Sequence, residues 1–132
     1  MDIGCNLGAT TAEAAKHGAK FAIGIDKEMI SITWNFKKRF NNIDFLCLDI
    51  NNSAGNILSY REYNVVLLNS VYSYLEPAIV EQLIENKDVI FEQQFDSQAM
   101  PSLKHKWQFI ETVPYSVAAP GLTRKIYVGM PK

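Results

Sequence analysis

Short apolar runs alternate with helix-forming stretches along most of the chain, and this alternation limits the folds that are open to it. Four of the runs are typical of buried strands: KFAIGID (20–26), NIDFLCLDI (42–50), the start of NVVLLNSVYSYL (64–75) and DVIFEQQF (88–95). Helices are predicted at 9–17, 27–40 and 76–87, with a weaker one in 51–63. Because parallel strands need crossover connections between them, this order predicts a parallel sheet with helices on both faces.

The last third of the chain follows a different pattern. The stretch SQAMPSLKHKWQ (97–108) predicts a short helix, and two strand-like runs follow it, FIETVPYS (109–116) and RKIYVGMP (124–131). These two runs can pair antiparallel across the loop VAAPGLT. We therefore expect one domain over residues 1–132, an α/β fold with a Rossmann-like, doubly wound, mostly parallel sheet and a C-terminal antiparallel hairpin.

Length and composition fit this architecture and argue against several other classes. A chain of 132 residues can bury roughly two thirds of its unfolded surface without disulfides. The net charge of -1 provides no field that would attract a nucleic acid. The given sequence does not open on a basic stretch followed by an apolar one, and no apolar run approaches the roughly 18 residues of a membrane span, so we expect a soluble, cytoplasmic protein. Cys5 and Cys47 lie in strand-like runs without metal-ligand spacing, which predicts reduced core thiols and no metal site.

The segment DIGCNLG, at residues 2–8, is typical of the end of a buried strand that runs into a glycine-rich turn. Gly4 and Gly8 allow the backbone to approach a ligand closely, and Asp2 offers an acceptor to a cation or a hydroxyl. A dinucleotide site favours GxGxxG with the pyrophosphate at a helix N-terminus, whereas here Asn6 stands at the second glycine position. A carboxylate beside the loop repels a pyrophosphate but attracts a sulfonium or an ammonium. The pattern therefore disfavours a dinucleotide oxidoreductase.

Acidic residues also close the next two strands. Asp26 ends the second strand, where a carboxylate can accept both hydroxyls of a ribose. Asp49 ends the third strand and Ile50 follows it, so one residue can bind the exocyclic amine of an adenine while the other covers its face. In a doubly wound sheet the ligand site lies beyond the carboxyl ends of the central strands, so these residues should meet there.

Taken together, DIGCNLG, AIGID and LCLDI resemble the glycine-rich, ribose-binding and adenine-binding motifs of class I S-adenosylmethionine-dependent methyltransferases. The two final runs resemble that family's antiparallel sixth and seventh strands, so the resemblance covers nearly the whole chain. It implies S-adenosyl-L-methionine as cofactor, S-adenosyl-L-homocysteine as product, and an acceptor that the sequence does not identify. The implied cofactor-binding residues are Asp2, Gly4, Cys5, Asn6 and Gly8 around the methionine moiety, Asp26 and Lys27 at the ribose, Asp49 and Ile50 at the adenine, and Asn69 and Ser70 after the fourth strand. The implied catalytic residues, facing the acceptor, are Asn69 and Tyr72.

The chain departs from the family's pattern in two places. The family has a full first strand and often further helices before its glycine motif, whereas only Met1 precedes DIGCNLG here. We therefore expect either a fold that tolerates a stub of the first strand or a shortened relative, whose open pocket a second copy or a partner subunit could complete. The segment NSVY shares Asn69 and Tyr72 with the NPPY of enzymes that methylate amino groups of nucleic acids but lacks both prolines. The acceptor class therefore stays open. A non-catalytic cofactor-binding subunit and an enzyme that degrades S-adenosylmethionine are the alternative functions.

Several of these residues also have simpler interpretations. Asp26 and Asp49 could be strand-end turn residues, since Asp favours such corners. Tyr72 and Tyr74 could pack against a helix instead of enclosing a substrate. Their functional interpretation therefore depends on the three motifs occurring together.

Other polar residues are interpreted as solvent-exposed. Glu92 ends the fifth strand and is expected to be a solvated strand end, with a base toward the acceptor as the alternative. His17 and His105 are expected at the surface, His105 on a cationic helix face. The KKR run at 37–39 is interpreted as a helix end, not as a phosphate-binding patch.

Overall fold

The computed structural model describes residues 1–28, 33–58, 62–93, 100–101, 104–110 and 124–132. Within these ranges the strands are Asp2–Ile3 (β1), Ala22–Asp26 (β2), Ile43–Cys47 (β3), Val65–Asn69 (β4), Asp88–Gln93 (β5), His105–Ile110 (β6) and Lys125–Pro131 (β7). The α-helices are Ala9–Lys16 (α1), Thr33–Arg39 (α2), Ile50–Leu58 (α3) and Pro77–Ile84 (α4), and a 3₁₀ turn covers Tyr72–Tyr74. None of the helices in these ranges has the length and apolar character needed to cross a membrane.

The strands form one sheet in the order β3-β2-β1-β4-β5-β7-β6. Strands β1 to β5 pair parallel, while β7 pairs antiparallel with both β5 and β6. The chain first winds outward from β1 to β3 and then returns to β4 on the other side of β1. The switch point of the sheet therefore lies between β1 and β4. The predicted α/β architecture, with a mostly parallel sheet and an antiparallel terminal pair, is confirmed.

Two buried clusters flank the sheet, because side chains alternate between the faces of each strand. Ile25 belongs to a cluster that also receives Ile57 of α3 and Leu83 of α4. Ala22, three residues earlier on β2, belongs to the other cluster, with Ala12 of α1. Apolar side chains thus cover both faces of the central strands, as the sequence pattern predicts.

Local sequence signals explain where several helices begin and end. Gly18 has φ +99°, the left-handed conformation that commonly follows a helix, just after α1. Pro77 is in the first turn of α4, where its missing N–H leaves no helical bond unmade. The KKR run ends α2 as predicted. Residues 29–32 of the predicted second helix and 59–61 of the weaker helix lie outside the described ranges.

The prediction for His105 is wrong. His105 begins strand β6 and is buried, with 5% of its surface exposed. Its Nε2 donates to the Lys87 carbonyl at 2.8 Å, and its ring lies 5.6 Å from that of Trp107. Lys104 and Lys106 on either side are exposed, which is the alternation of a strand and not a helix face. The remainder of the predicted terminal elements, in 97–99, 102–103 and 111–123, lies outside the described residues.

The two cysteines differ from each other. Cys5 is buried, and burial together with the nearby carboxylates of Asp2 and Asp26 raises the pKa of its thiol to about 12. It is therefore a protonated core thiol at neutral pH, as predicted. Cys47 is exposed instead of buried, because it is the last residue of β3, and its thiol donates to the Lys27 carbonyl at 3.4 Å.

Replacing two glycines separates backbone strain from steric overlap. Gly4 (φ +67°) and Gly18 (φ +99°) both have left-handed backbones, so alanine at either should cost about 1 to 2 kcal/mol in strain. A Cβ at Gly4 would also overlap Val71, lying 2.8 Å from its Cβ, whereas at Gly18 it would meet nothing within 4 Å. We expect urea unfolding to show Gly4→Ala about 1 to 3 kcal/mol less stable than Gly18→Ala. Equal losses would contradict this packing.

Candidate functional site

A cleft of about 430 Å³ opens at the carboxyl ends of the central strands. This position, beside the switch point, is where doubly wound sheets bind ligands, and the volume is within the range of small-molecule sites. Seven of the predicted cofactor-binding residues line it: Gly4, Asn6, Asp26, Lys27, Asp49, Ile50 and Ser70. The sequence therefore predicted which strand ends border the cleft on the side of β1, β2 and β3.

The loop after β1 is built from left-handed residues. Gly4 has φ +67°, Asn6 has φ +48° and Gly8 has φ +79°. Asparagine adopts this conformation more readily than most other non-glycine residues, which explains how Asn6 can occupy a position where glycine is expected. The N–H groups of Gly4 and Cys5 both donate to the Ile25 carbonyl, at 2.8 and 3.1 Å. The loop is thus held against the end of β2.

Asp26 joins this loop to the next turn. Its Oδ2 accepts the N–H of Asn6 at 2.8 Å, and its Oδ1 accepts the N–H of Glu28 at 3.1 Å. Through these two bonds Asp26 stabilises the turn at the strand end, which is the simpler interpretation that the sequence allowed for it. A carboxylate has about four acceptor sites, however, so Asp26 retains acceptor capacity for a donor in the cleft that it lines.

Asp49 likewise has a local structural role. Its Oδ1 accepts the N–H of Asn51 at 3.1 Å, and its Oδ2 accepts the side-chain amide of Asn52 at 2.7 Å. The carboxylate therefore caps the start of α3. Ile50, the next residue, is 5% exposed and lines the cleft together with Leu48. A polar and an apolar contact thus lie side by side at the end of β3.

Asn51 is a cleft residue that sequence reasoning missed. Its side-chain amide donates to the Tyr74 carbonyl at 2.9 Å, and its Oδ1 accepts the N–H of Glu76 at 3.0 Å. It ties the start of α3 to the connection between β4 and α4, across the two sides of the cleft. Nothing in the sequence distinguished it from an ordinary turn asparagine, because its partners are more than 20 residues away.

Of the two tyrosines after β4, Tyr74 and not Tyr72 lines the cleft. The Tyr72 ring packs edge-on against Phe91, with centroids 5.6 Å apart, and burial raises the pKa of its hydroxyl, with a smaller contribution from the charge of Glu81. Tyr74 is 74% exposed at the cleft. Asn69 ends β4 in register with Glu92 and is not among the residues that line the cleft.

Three further predicted residues lie behind the lining: Asp2, Cys5 and Gly8. A Cβ at Gly8 would lie 2.6 Å from the Phe45 ring, so this glycine is required by packing. Asp2 is 2% exposed, and its Oδ2 accepts the Thr11 hydroxyl at 2.6 Å. Its Oδ1 has no hydrogen-bond partner among the described residues. Burial raises the pKa of Asp2 to about 6, although the bond from Thr11 opposes the shift.

The prediction that Glu92 is a solvated strand end is wrong, because Glu92 is only 4% exposed. Its Oε2 accepts the Ser70 hydroxyl at 2.5 Å, and its Oε1 lies 3.2 Å from Nη1 of Arg124. Nη1 of Arg124 also donates to the Ser70 hydroxyl oxygen. Ser70 has φ +56° and lines the cleft, so this cluster borders the site. Arg124 was missed because it lies 32 residues after Glu92 in the chain.

A second cleft, of about 300 Å³, lies at the opposite end of the sheet. It is lined by residues at the end of α4, the start of β6 and the end of β7: Glu81, Glu85, Asn86, Lys104, His105, Pro131 and Lys132. None of the predicted site residues lines this second cleft. The geometry therefore favours the cleft at the switch point as the functional site.

The chain matches no protein-family model, and it matches no curated protein. Any functional inference for the cleft must therefore rest on its residues and their contacts.

The buried Asp2 predicts a pH dependence of stability. Its folded pKa of about 6 lies above the ordinary pKa of an aspartate, 3.8, so the folded state favours the protonated carboxyl. The stability from this group is complete below about pH 4 and is lost as the pH rises through about 6, by roughly 3 kcal/mol in total. Asp2→Asn should not show this loss, whereas exposed Asp88→Asn should keep it. Urea unfolding between pH 4 and 7 tests this, and parallel profiles for wild type and Asp2→Asn would contradict it.

Proposed function

We propose that the protein is a class I S-adenosylmethionine-dependent methyltransferase. The observation that carries the proposal is the convergence of the glycine loop, Asp26, and the pair Asp49 and Ile50 on one cleft at the switch point. These are three segments that lie far apart in the sequence, each of the chemical type needed for one part of the cofactor. The antiparallel pair β6 and β7 is a further feature that the family resemblance implies.

The cleft residues fit the chemical groups of the cofactor. Asp26 has acceptor sites left for the hydroxyls of a ribose, and Lys27 lines the cleft beside it. Asp49 offers acceptors for an exocyclic amine, while Leu48 and Ile50 provide an apolar contact for an adenine ring. Near the loop, Asp2 supplies a carboxylate whose charge would favour a sulfonium or an ammonium. When bound, the cofactor supplies an electrophilic methyl group.

The contribution of the protein would be to orient the reactants and exclude water. Ser70 and Tyr74 are the groups after β4 that line the cleft and can face an acceptor. In this proposal Asn69 and Tyr72 act indirectly. Asn69 ends the strand from which Ser70 extends, and Tyr72, held on Phe91, anchors the 3₁₀ turn that carries Tyr74. A base is needed only if the acceptor must lose a proton.

Calorimetric titration tests the cofactor assignment. We expect saturable binding of S-adenosylmethionine and S-adenosylhomocysteine, with none of NAD. Asp26→Asn removes the charge and one acceptor oxygen, so both affinities should fall by roughly tenfold or more. Exposed Asp88→Asn, at the opposite end of the sheet, is the matched control and should bind like wild type. An unchanged affinity in Asp26→Asn would exclude the proposed ribose contact.

Methyl transfer then separates the enzyme from the alternatives. Transfer of a labelled methyl group to a pool of small-molecule and protein acceptors supports the methyltransferase. Tight cofactor binding without transfer favours a binding subunit, whereas loss of the cofactor without any acceptor favours an enzyme that degrades it. Absence of binding by any of these sulfur ligands would overturn the proposal.

A further inference from the structure

The cluster of Ser70, Glu92 and Arg124 lies at the part of the carboxyl edge that the proposed cofactor contacts leave open. Asp26 and Asp49 belong to the ends of β2 and β3, on one side of the switch point. The cluster lies on the other side of the switch point. Ser70 follows β4, Glu92 is the last residue but one of β5, and Arg124 directly precedes β7. Ser70 lines the cleft whereas Glu92 and Arg124 do not, so the cluster borders the cleft through Ser70.

Arg124 is only partly used by this cluster. Its Nη1 makes both of its bonds, to the Ser70 hydroxyl and to Glu92 Oε1. Among the described residues no hydrogen bond is made by its Nη2 or Nε. Its side chain is 31% exposed, compared with 5% for that of Glu92. Nη2 and Nε are therefore the donors left for a ligand, and the edge of the guanidinium that carries them matches a carboxylate or a phosphate.

The partners of Arg124 fix its position without occupying that edge. Glu92 uses one oxygen for Nη1 and the other for the Ser70 hydroxyl, which in turn accepts from Nη1. An arginine held in one conformation loses less entropy when it binds an anion.

We propose that Arg124 binds an anionic group, a carboxylate or a phosphate, on the methyl acceptor. Ser70 and Glu92 are positioning residues that hold the guanidinium beside the cleft. The inference rests on the proposed function only in assigning the anion to an acceptor, since the anion site is defined by Arg124 and its two partners. It predicts that acceptors without a negative charge are poor substrates.

The test is an NMR titration of the protein with sodium phosphate and, separately, with sodium acetate at constant ionic strength, with and without S-adenosylhomocysteine. We expect saturable shifts of the Arg124 Nε–H and the Ser70 amide. Glu92→Gln removes the opposing charge, so phosphate should bind several-fold more tightly. Adding Arg124→Gln to Glu92→Gln should weaken phosphate binding by roughly tenfold or more relative to the single variant. This double variant leaves no unpaired buried charge that would prevent folding.

Exposed Arg39→Gln, at the end of α2, is the control for a general loss of positive charge and should bind phosphate like wild type. Equal phosphate binding in all variants would overturn the proposal and leave the cluster as a contact between strand ends. The tighter of the two anions identifies the group. Anion binding at Arg124 without any binding of S-adenosylhomocysteine would overturn the proposed function but keep the anion site. Binding of S-adenosylhomocysteine without anion binding at Arg124 would overturn the anion site but keep the proposed function.

Discussion

The turn between β1 and α1 is held by hydrogen bonds to the end of β2, and the site depends on them. The Ile25 carbonyl accepts two consecutive N–H groups of the loop, and Asp26 accepts a third, from Asn6. Without these bonds the left-handed residues would gain nothing from their strained backbone, because such conformations persist only where surrounding contacts fix them. The loop and the first strand-end carboxylate therefore form one unit, and the cleft is built around it.

Much of the fold could be predicted because its signals are local. Apolar runs, a helix-ending Gly18 and Pro77 in a first turn each identify an element from neighbouring residues. The failure at His105 is also instructive. Lysines on both sides suggested a solvated helix face, but the same three residues alternate exposed, buried and exposed along a strand. Charged neighbours do not distinguish the periodicity of a helix from that of a strand over only three residues.

The candidate site was only partly predictable, since its wall combines local and distant contacts. Acids at strand ends could be recognised because parallel strands finish at one edge of the sheet. The burial of Glu92 could not, because it depends on Arg124 and Ser70, which are brought together only by the sheet order. The tyrosines show a third limit. Residues 72 and 74 would share a face of a strand, but a 3₁₀ turn rotates about 120° per residue and sends them to different sides.

The close approach of Gly4 to Val71 has a consequence for how the two sides of the cleft respond to ligands. Gly4 belongs to the loop after β1, and Val71 to the segment that leads from β4 into the 3₁₀ turn, yet no side chain fits between them. A molecule that shifts the loop must therefore shift Val71 and the turn that follows it. Occupancy of one side would then change affinity on the other, and thermodynamic linkage requires the effect to be the same in both directions.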